Sequence, residues 1–215
     1  MRYLLKNDFR FLFKSLIIFI IILIVEILFG SLIVSDNVID ILLGRNYNGV
    51  LDLLSILFYL LNLLYFIYVS LQLLIRDLTY NLDNVFFRIS PLVFIFEKIL
   101  FIIVVIFVLR FIQYILLVLV FFGESVTLSS ILFKVLKDTF YYSALSCLSV
   151  FFRQCYYKIN YFYMLCIVGG VIIIPKSMDK SYLLYLIILV FFVICNMLIM
   201  NYKCKYIIEK EGEVK

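Results

Sequence analysis

The chain has 215 residues, of which 67% are hydrophobic and 15% are charged, and its mean hydropathy is +1.18. This composition excludes an ordinary water-soluble domain and predicts an all-α polytopic membrane protein. Histidine is absent, so catalysis or metal binding that depends on histidine is excluded. The net charge is +5.

Six apolar runs are candidates for spans, since a helix needs roughly 20 apolar residues to cross a bilayer. They lie at 14–35, 51–75, 92–122, 130–152, 160–175 and 182–201. The fourth carries three charged residues in its first half, and the fifth is short and ends at Pro175 after a pair of glycines. The sequence therefore predicts a single transmembrane domain over 1–215 with about six spans, and five or seven spans are the alternatives.

The first 15 residues, MRYLLKNDFRFLFKS, are basic, and the apolar run after them is too long for a cleaved signal peptide. They predict either an amphipathic helix on the membrane surface or a simple basic anchor. With this segment in the cytosol, thirteen Lys and Arg residues lie inside and five lie outside. The asymmetry follows the positive-inside rule, so the net charge needs no nucleic-acid partner.

Both termini are therefore expected in the cytosol. In a chain without its native cysteines, single cysteines at Arg2 and Lys215 should react with a membrane-impermeant maleimide only after the cells are opened. A cysteine at Arg45, in a predicted outside loop, is the control and should react in intact cells. Labelling of either terminus in intact cells would overturn this orientation.

The stretch between the second and third runs, RDLTYNLDNVFFRISPLVFIFEK (76–98), interrupts the apolar sequence with charges, asparagines and a proline. Its apolar residues recur at the spacing of one helix face: Leu78, Leu82, Val85, Phe86 and Ile89. They predict a short cytosolic amphipathic helix that Pro91 ends. This helix either lies among lipid headgroups as a connector or docks into a cytosolic partner as a coupling helix.

The layout resembles the permease subunits of ABC-2 type exporters. The features that carry the resemblance are the basic N-terminal segment, the six spans, the amphipathic connector and the run LDNVFFRISPLVFIFEKIL. In that family an arginine-containing turn ends the connector and a lysine starts span three, and Arg88 and Lys98 take those places here. One departure is the very short loop between spans five and six, where family members often carry re-entrant helices.

The resemblance implies a multi-pass cell-membrane subunit that moves a peptide, an antibiotic or a lipid-like substrate outward. It also implies a second permease chain and a cytosolic ATP-binding cassette subunit, which would hold ATP and Mg and carry out hydrolysis. This chain would then be a transport subunit, not an enzyme, and hold no cofactor or metal itself. The residues expected to couple it to the ATPase are Asp83, Asn84, Phe86, Phe87 and Arg88.

Two other functional classes stay open. The first is a stand-alone six-span binding or immunity-type membrane protein, or the substrate-binding subunit of an importer, for which the connector has no motor to dock on. The second is an intramembrane enzyme, which the sequence favours least because it offers no histidine, no GxSG motif and no paired aspartates in adjacent spans.

Two charged residues lie deep within the first and third apolar runs. Glu26 lies about 12 residues into span one and Arg110 about 12 residues beyond Lys98, so each lies ~18 Å along its helix. Spans one and three run in the same direction, which predicts an intramembrane ion pair between Glu26 and Arg110. A role in gating or substrate contact is the alternative.

The fourth span is the most polar one. Four of its side chains share a helix face and are expected to line a transport path: Lys134, Lys137, Asp138 and Tyr141. A helix of this kind is poorly suited to full lipid exposure. The alternative for the two lysines is that they extend to the outer membrane interface.

Overall fold

The computed structural model describes residues 2–33, 38–43, 51–80, 90–121, 128–155 and 182–212. Within these ranges the regular secondary structure is α-helix throughout, as the predicted all-α class requires. The helices are α1 (Arg2–Gly30), the short α2 (Val38–Leu42), α3 (Leu51–Tyr80), α4 (Pro91–Val120), α5 (Leu128–Cys155) and α6 (Tyr182–Gly212).

Four of the described helices are long and apolar enough to cross a membrane. The apolar stretches are Asp8–Gly30 in α1, Ser55–Leu73 in α3, Leu92–Val120 in α4 and Tyr185–Tyr202 in α6. α5 covers the predicted fourth span but is less apolar, because it carries two lysines, an aspartate and several serines. The predicted fifth span, 160–175, lies outside the described residues. Four apolar helices are therefore established, and six spans remain a prediction.

The start of α4 is determined by two adjacent residues. Pro91 is the first helical residue, where its fixed φ suits the helix and its missing N–H leaves no hydrogen bond unmade. Ser90 caps the helix: its Oγ accepts from the Val93 N–H at 3.4 Å, and its carbonyl accepts from the Phe94 N–H at 3.0 Å. α3 continues to Tyr80, so residues 77–80 of the predicted connector helix belong to α3, and residues 81–89 lie outside the described part.

α1 is a single helix of 29 residues, about 43 Å long at 1.5 Å per residue. It contains no proline and no glycine before its last residue, so nothing in the sequence breaks the helix between the basic segment and the apolar run. Within residues 2–33 the basic segment and the apolar run therefore form one helix, without a break between a surface helix and a span.

The chain divides into two compact units. The first consists of Met1–Val69 and Phe107–Asp138. Its hydrophobic core comprises Ile39, Leu42, Leu43, Phe58, Tyr114, Leu117, Ile131 and Val135. At the end of α1, a Cβ on Gly30 would overlap the ring of Phe121 and lie 2.8 Å from Cδ1 of Leu42, so a larger residue would require these two side chains to move.

The second unit consists of Ser70–Ile106 and Thr139–Lys215. Here α5 and α6 pack through aromatic pairs, Tyr141 with Tyr185 at 5.0 Å between ring centroids and Phe151 with Phe192 at 6.0 Å. A hydrogen bond of 2.9 Å from Asn196 Nδ2 to the Cys147 carbonyl joins the same two helices. The two helices are thus joined by both ring contacts and a polar contact.

α1 and α6 each expose a stripe of large apolar side chains. On α1 the stripe includes Phe13, Ile17, Ile24 and Leu28, and on α6 it includes Ile187, Phe191, Ile194 and Leu198. These positions recur at the spacing of one helix face. Continuous apolar surface of this extent is unusual on a soluble protein and is compatible with contact with lipid.

Candidate functional site

Polar side chains from four helices meet in the interior of the first unit. The polar cluster consists of Glu26 on α1, Asn62 on α3, Arg110 and Gln113 on α4, and Asp138 on α5. Glu26, Asn62 and Gln113 are fully buried, Arg110 is 1% exposed, and the Asp138 side chain is 15% exposed. Polar groups buried among apolar helices require partners, and the contacts inside the cluster supply them.

Gln113 lies at the centre of the cluster. Its Nε2 donates to both carboxylate oxygens of Glu26, at 2.8 Å and 2.7 Å, and lies 3.0 Å from Asn62 Oδ1. An amide nitrogen has two hydrogens for these three acceptors, so one hydrogen is shared. At the other end of the same amide, Oε1 accepts from Arg110 Nη1 at 2.6 Å. Gln113 thereby connects the Glu26 carboxylate to the Arg110 guanidinium.

The Glu26 carboxylate receives its hydrogen bonds from neutral amides. Besides Gln113, Asn62 donates from Nδ2 to Glu26 Oε1 at 2.8 Å and to the Phe58 carbonyl at 3.0 Å. The second of these bonds lies within α3 and fixes the orientation of the Asn62 amide. The two amides replace the water that Glu26 would have on a protein surface.

Arg110 forms its ion pair with Asp138. Arg110 Nη2 lies 3.3 Å from Asp138 Oδ2, and the guanidinium carbon lies 5.7 Å from the centroid of the Phe66 ring. Arginine suits such a position because its planar guanidinium binds carboxylates and stacks on aromatic faces with the same group. The contacts place the one cation of the cluster between a carboxylate, an amide oxygen and a ring.

The predicted pair of Glu26 and Arg110 lies in one cluster, but Gln113 separates the two side chains and the direct ion pair of Arg110 is with Asp138. The reason is local to α4. Gln113 follows Arg110 by three residues and therefore lies on the same helix face, with its amide between Arg110 and α1. Asp138 was predicted to line a transport path, and in the structure its carboxylate forms an ion pair with Arg110.

Asn62 and Gln113 are the members of the cluster that sequence reasoning missed. Each is an isolated amide in a long apolar helix, and polar residues at such positions usually face other helices. That signal was available in the sequence. The predicted site residues of this region were the charged ones, although the two amides make most of the hydrogen bonds in the cluster.

The remaining predicted site residues are placed as follows. Lys134 and Lys137 on α5 are partly buried, and Tyr141 is partly buried with its ring against Tyr142 and Tyr185. The predicted coupling residues lie outside the described part of the chain: Asp83, Asn84, Phe86, Phe87 and Arg88.

The polar cluster joins α1, α3, α4 and α5 through side chains that satisfy one another. Such interhelical hydrogen bonds hold apolar helices in a defined register. Among the described residues, no group of three His, Cys, Asp or Glu side chains is arranged to hold a metal ion. Comparison of the chain with protein-family models, with curated proteins and with solved structures finds no match.

Proposed function

We propose that the chain is the membrane-spanning permease subunit of an ATP-driven ABC exporter in the cell membrane. It pairs with a second permease chain and with a cytosolic ATP-binding cassette subunit, and it moves a peptide, an antibiotic or a lipid-like molecule. The four apolar helices and the bias of Lys and Arg to one side support an integral membrane subunit. The resemblance of the layout to ABC-2 permeases supports the pairing with an ATPase.

The observation that carries this proposal is the charged connector between α3 and α4. α3 is a helix of 30 residues that ends at Tyr80, and α4 is a helix of 30 residues that begins at Pro91. The intervening sequence, NLDNVFFRIS, is too short for a domain of its own, yet it combines charged, amide and aromatic side chains. This combination is typical of an interface, where aromatic residues and arginine often dominate the binding energy.

The polar cluster supports a mechanical role for α3 and α4. Both helices are continuous from the connector to the cluster, ~27 Å along α3 to Asn62 and ~33 Å along α4 to Gln113. At that point the two side chains lie 3.0 Å apart, and Glu26 binds both of them. A movement of the connector is thus carried along two stiff helices to a point where α1 and α5 are also attached.

The test is co-purification of an ATPase with the chain in mild detergent. An ATP-binding subunit is expected with the native chain, and ATP hydrolysis in vesicles should drive export. Phe86→Ala and Arg88→Ala should weaken the association or uncouple hydrolysis from transport while insertion is unchanged. Phe96→Ala, at a half-exposed apolar position on α4, is the matched control and should have little effect.

Two outcomes would contradict the proposal. Recovery of the native chain without any ATPase would favour a stand-alone membrane protein. Equal behaviour of the Phe86, Arg88 and Phe96 variants in an ATPase complex would assign the connector to the lipid surface and leave coupling to another part of the chain.

A further inference from the structure

One face of the N-terminal half of α1 packs on α3 within the first unit. The ring centroids of Phe11 and Tyr68 lie 6.2 Å apart, and those of Phe19 and Tyr65 lie 5.6 Å apart. Ser15, midway between the two phenylalanines along α1, is 3% exposed. Residues four positions apart lie on one helix face, so these contacts fix the rotation of α1 about its axis.

The opposite face of α1 carries the exposed apolar stripe, and two cations continue this stripe toward the N-terminus. Arg10 and Lys14 are both exposed and lie four residues apart, so they are neighbours on the helix surface. At 3.6 residues per turn, Arg10, Lys14 and Ile17 lie within about 60° of one another around the helix axis. Ser15, on the face that meets α3, lies about 160° from Ile17. The two charges therefore belong to the face that points away from α3.

The rise of α1 places the two cations and Ile17 in one leaflet of the bilayer. Arg10 and Leu28 are ~27 Å apart along the axis, close to the ~30 Å thickness of the hydrocarbon core, so they lie near opposite surfaces. Ile17 is only ~10 Å from Arg10 along the axis. From such positions Lys and Arg side chains extend to the headgroups while their methylene stems cover apolar surface. The charges thus meet the headgroups of the lipids whose acyl chains touch Phe13 and Ile17.

We propose that Arg10 and Lys14 bind the phosphate groups of anionic phospholipids such as phosphatidylglycerol, whose acyl chains lie against Phe13 and Ile17. Two neighbouring cations complement a headgroup with an unbalanced negative charge, whereas phosphatidylcholine carries its own cation. Arginine adds a planar fork of donors that fits phosphate oxygens. The inference requires that α1 span the membrane, as its apolar stretch permits, and it is independent of an ATPase partner.

The test exploits the absence of tryptophan from the chain. Ile17→Trp, at a position that is 62% exposed, introduces a single fluorescent reporter on the proposed lipid face. The full-length chain is reconstituted into vesicles of equal parts phosphatidylcholine and phosphatidylglycerol, with brominated acyl chains on one of the two lipids. Bromine quenches tryptophan at contact, so brominated phosphatidylglycerol should quench this reporter more strongly. The preference should be roughly fivefold for each cation.

Leu28→Trp is the matched control, because it lies on the same face of α1 near the other surface and is 60% exposed. Both brominated lipids should quench it equally. In the Ile17→Trp background, Arg10→Gln and Lys14→Gln should each lower the preference about fivefold, and the double variant should abolish it. Arg10→Lys keeps the charge and should retain most of the preference. Substitutions at exposed positions cost little stability, so these variants should fold.

Three outcomes would overturn the proposal. The first is equal quenching of Ile17→Trp by the two brominated lipids, and the second is an unchanged preference in the double variant. The third is an equally strong preference at Leu28→Trp, which would assign the effect to the membrane surface as a whole. A protein chain seated on this face would exclude both lipids and give the first of these results. Co-purification of an ATPase is read separately, so failure of the proposed function leaves this test unaffected.

Discussion

Replacing Arg110 with methionine should lower the free energy of unfolding by roughly 3 to 5 kcal/mol, because it leaves both carboxylates of the polar cluster, Glu26 and Asp138, without a cation. The substitution removes the ion pair with Asp138, the hydrogen bond to Gln113 Oε1 and the contact with the Phe66 ring. The measurement is titration of the detergent-solubilised protein with SDS, with helicity followed by circular dichroism.

Lys137→Met is the matched control for Arg110→Met, since it removes a cation from a partly buried position on α5. Its effect should stay below about 1 kcal/mol, as for most partly exposed charges. Equal losses for the two variants would show that Arg110 has no special role in stability.

A double-mutant cycle separates the contacts of Arg110. Arg110→Gln with Asp138→Asn should show an interaction energy within the range of roughly 0.5 to 3 kcal/mol that contacting residues give. Arg110→Gln with Glu26→Gln should show a smaller one, because Gln113 stands between these two side chains. A larger interaction energy for Arg110 with Glu26 than for Arg110 with Asp138 would instead support the direct ion pair between Glu26 and Arg110 that the sequence predicts.

Gln113→Leu is expected to reduce the free energy of unfolding by about 3 kcal/mol, the upper part of the range for leaving buried polar groups without partners. The substitution has almost no effect on volume but removes both hydrogen bonds that Gln113 makes to Glu26 and the one that it accepts from Arg110. The same SDS titration measures this loss, and retention time on size-exclusion chromatography confirms that the variant is folded.

Gln72→Leu on α3 is the control for Gln113→Leu, because Gln72 is only partly buried. It should change stability by less than about 0.5 kcal/mol. Adding Glu26→Gln to Gln113→Leu should recover part of the lost free energy of unfolding, since it removes the buried negative charge that has lost its hydrogen bonds from Gln113. A double variant less stable than Gln113→Leu alone would mean that Gln113 acts through packing and not through the carboxylate.

The sequence by itself determined the helical class and the approximate limits of four apolar helices. These features depend on local properties, namely the length of an apolar run, the spacing of its residues and the cap formed by Ser90 and Pro91. The sequence also located Glu26 and Arg110 as charged residues within apolar runs. Such information is present in any window of about 20 residues and needs no knowledge of the packing.

Only the tertiary structure decided which side chains bind one another. Gln113 lies 87 residues from Glu26 and 51 from Asn62, and no local pattern determines which of several polar groups on facing helices meet. The choice depends on helix rotation and close approach at positions such as Gly30, which many side chains determine together. For the same physical reason the Arg110 guanidinium pairs with Asp138, and Asn196 on α6 reaches the Cys147 carbonyl on α5.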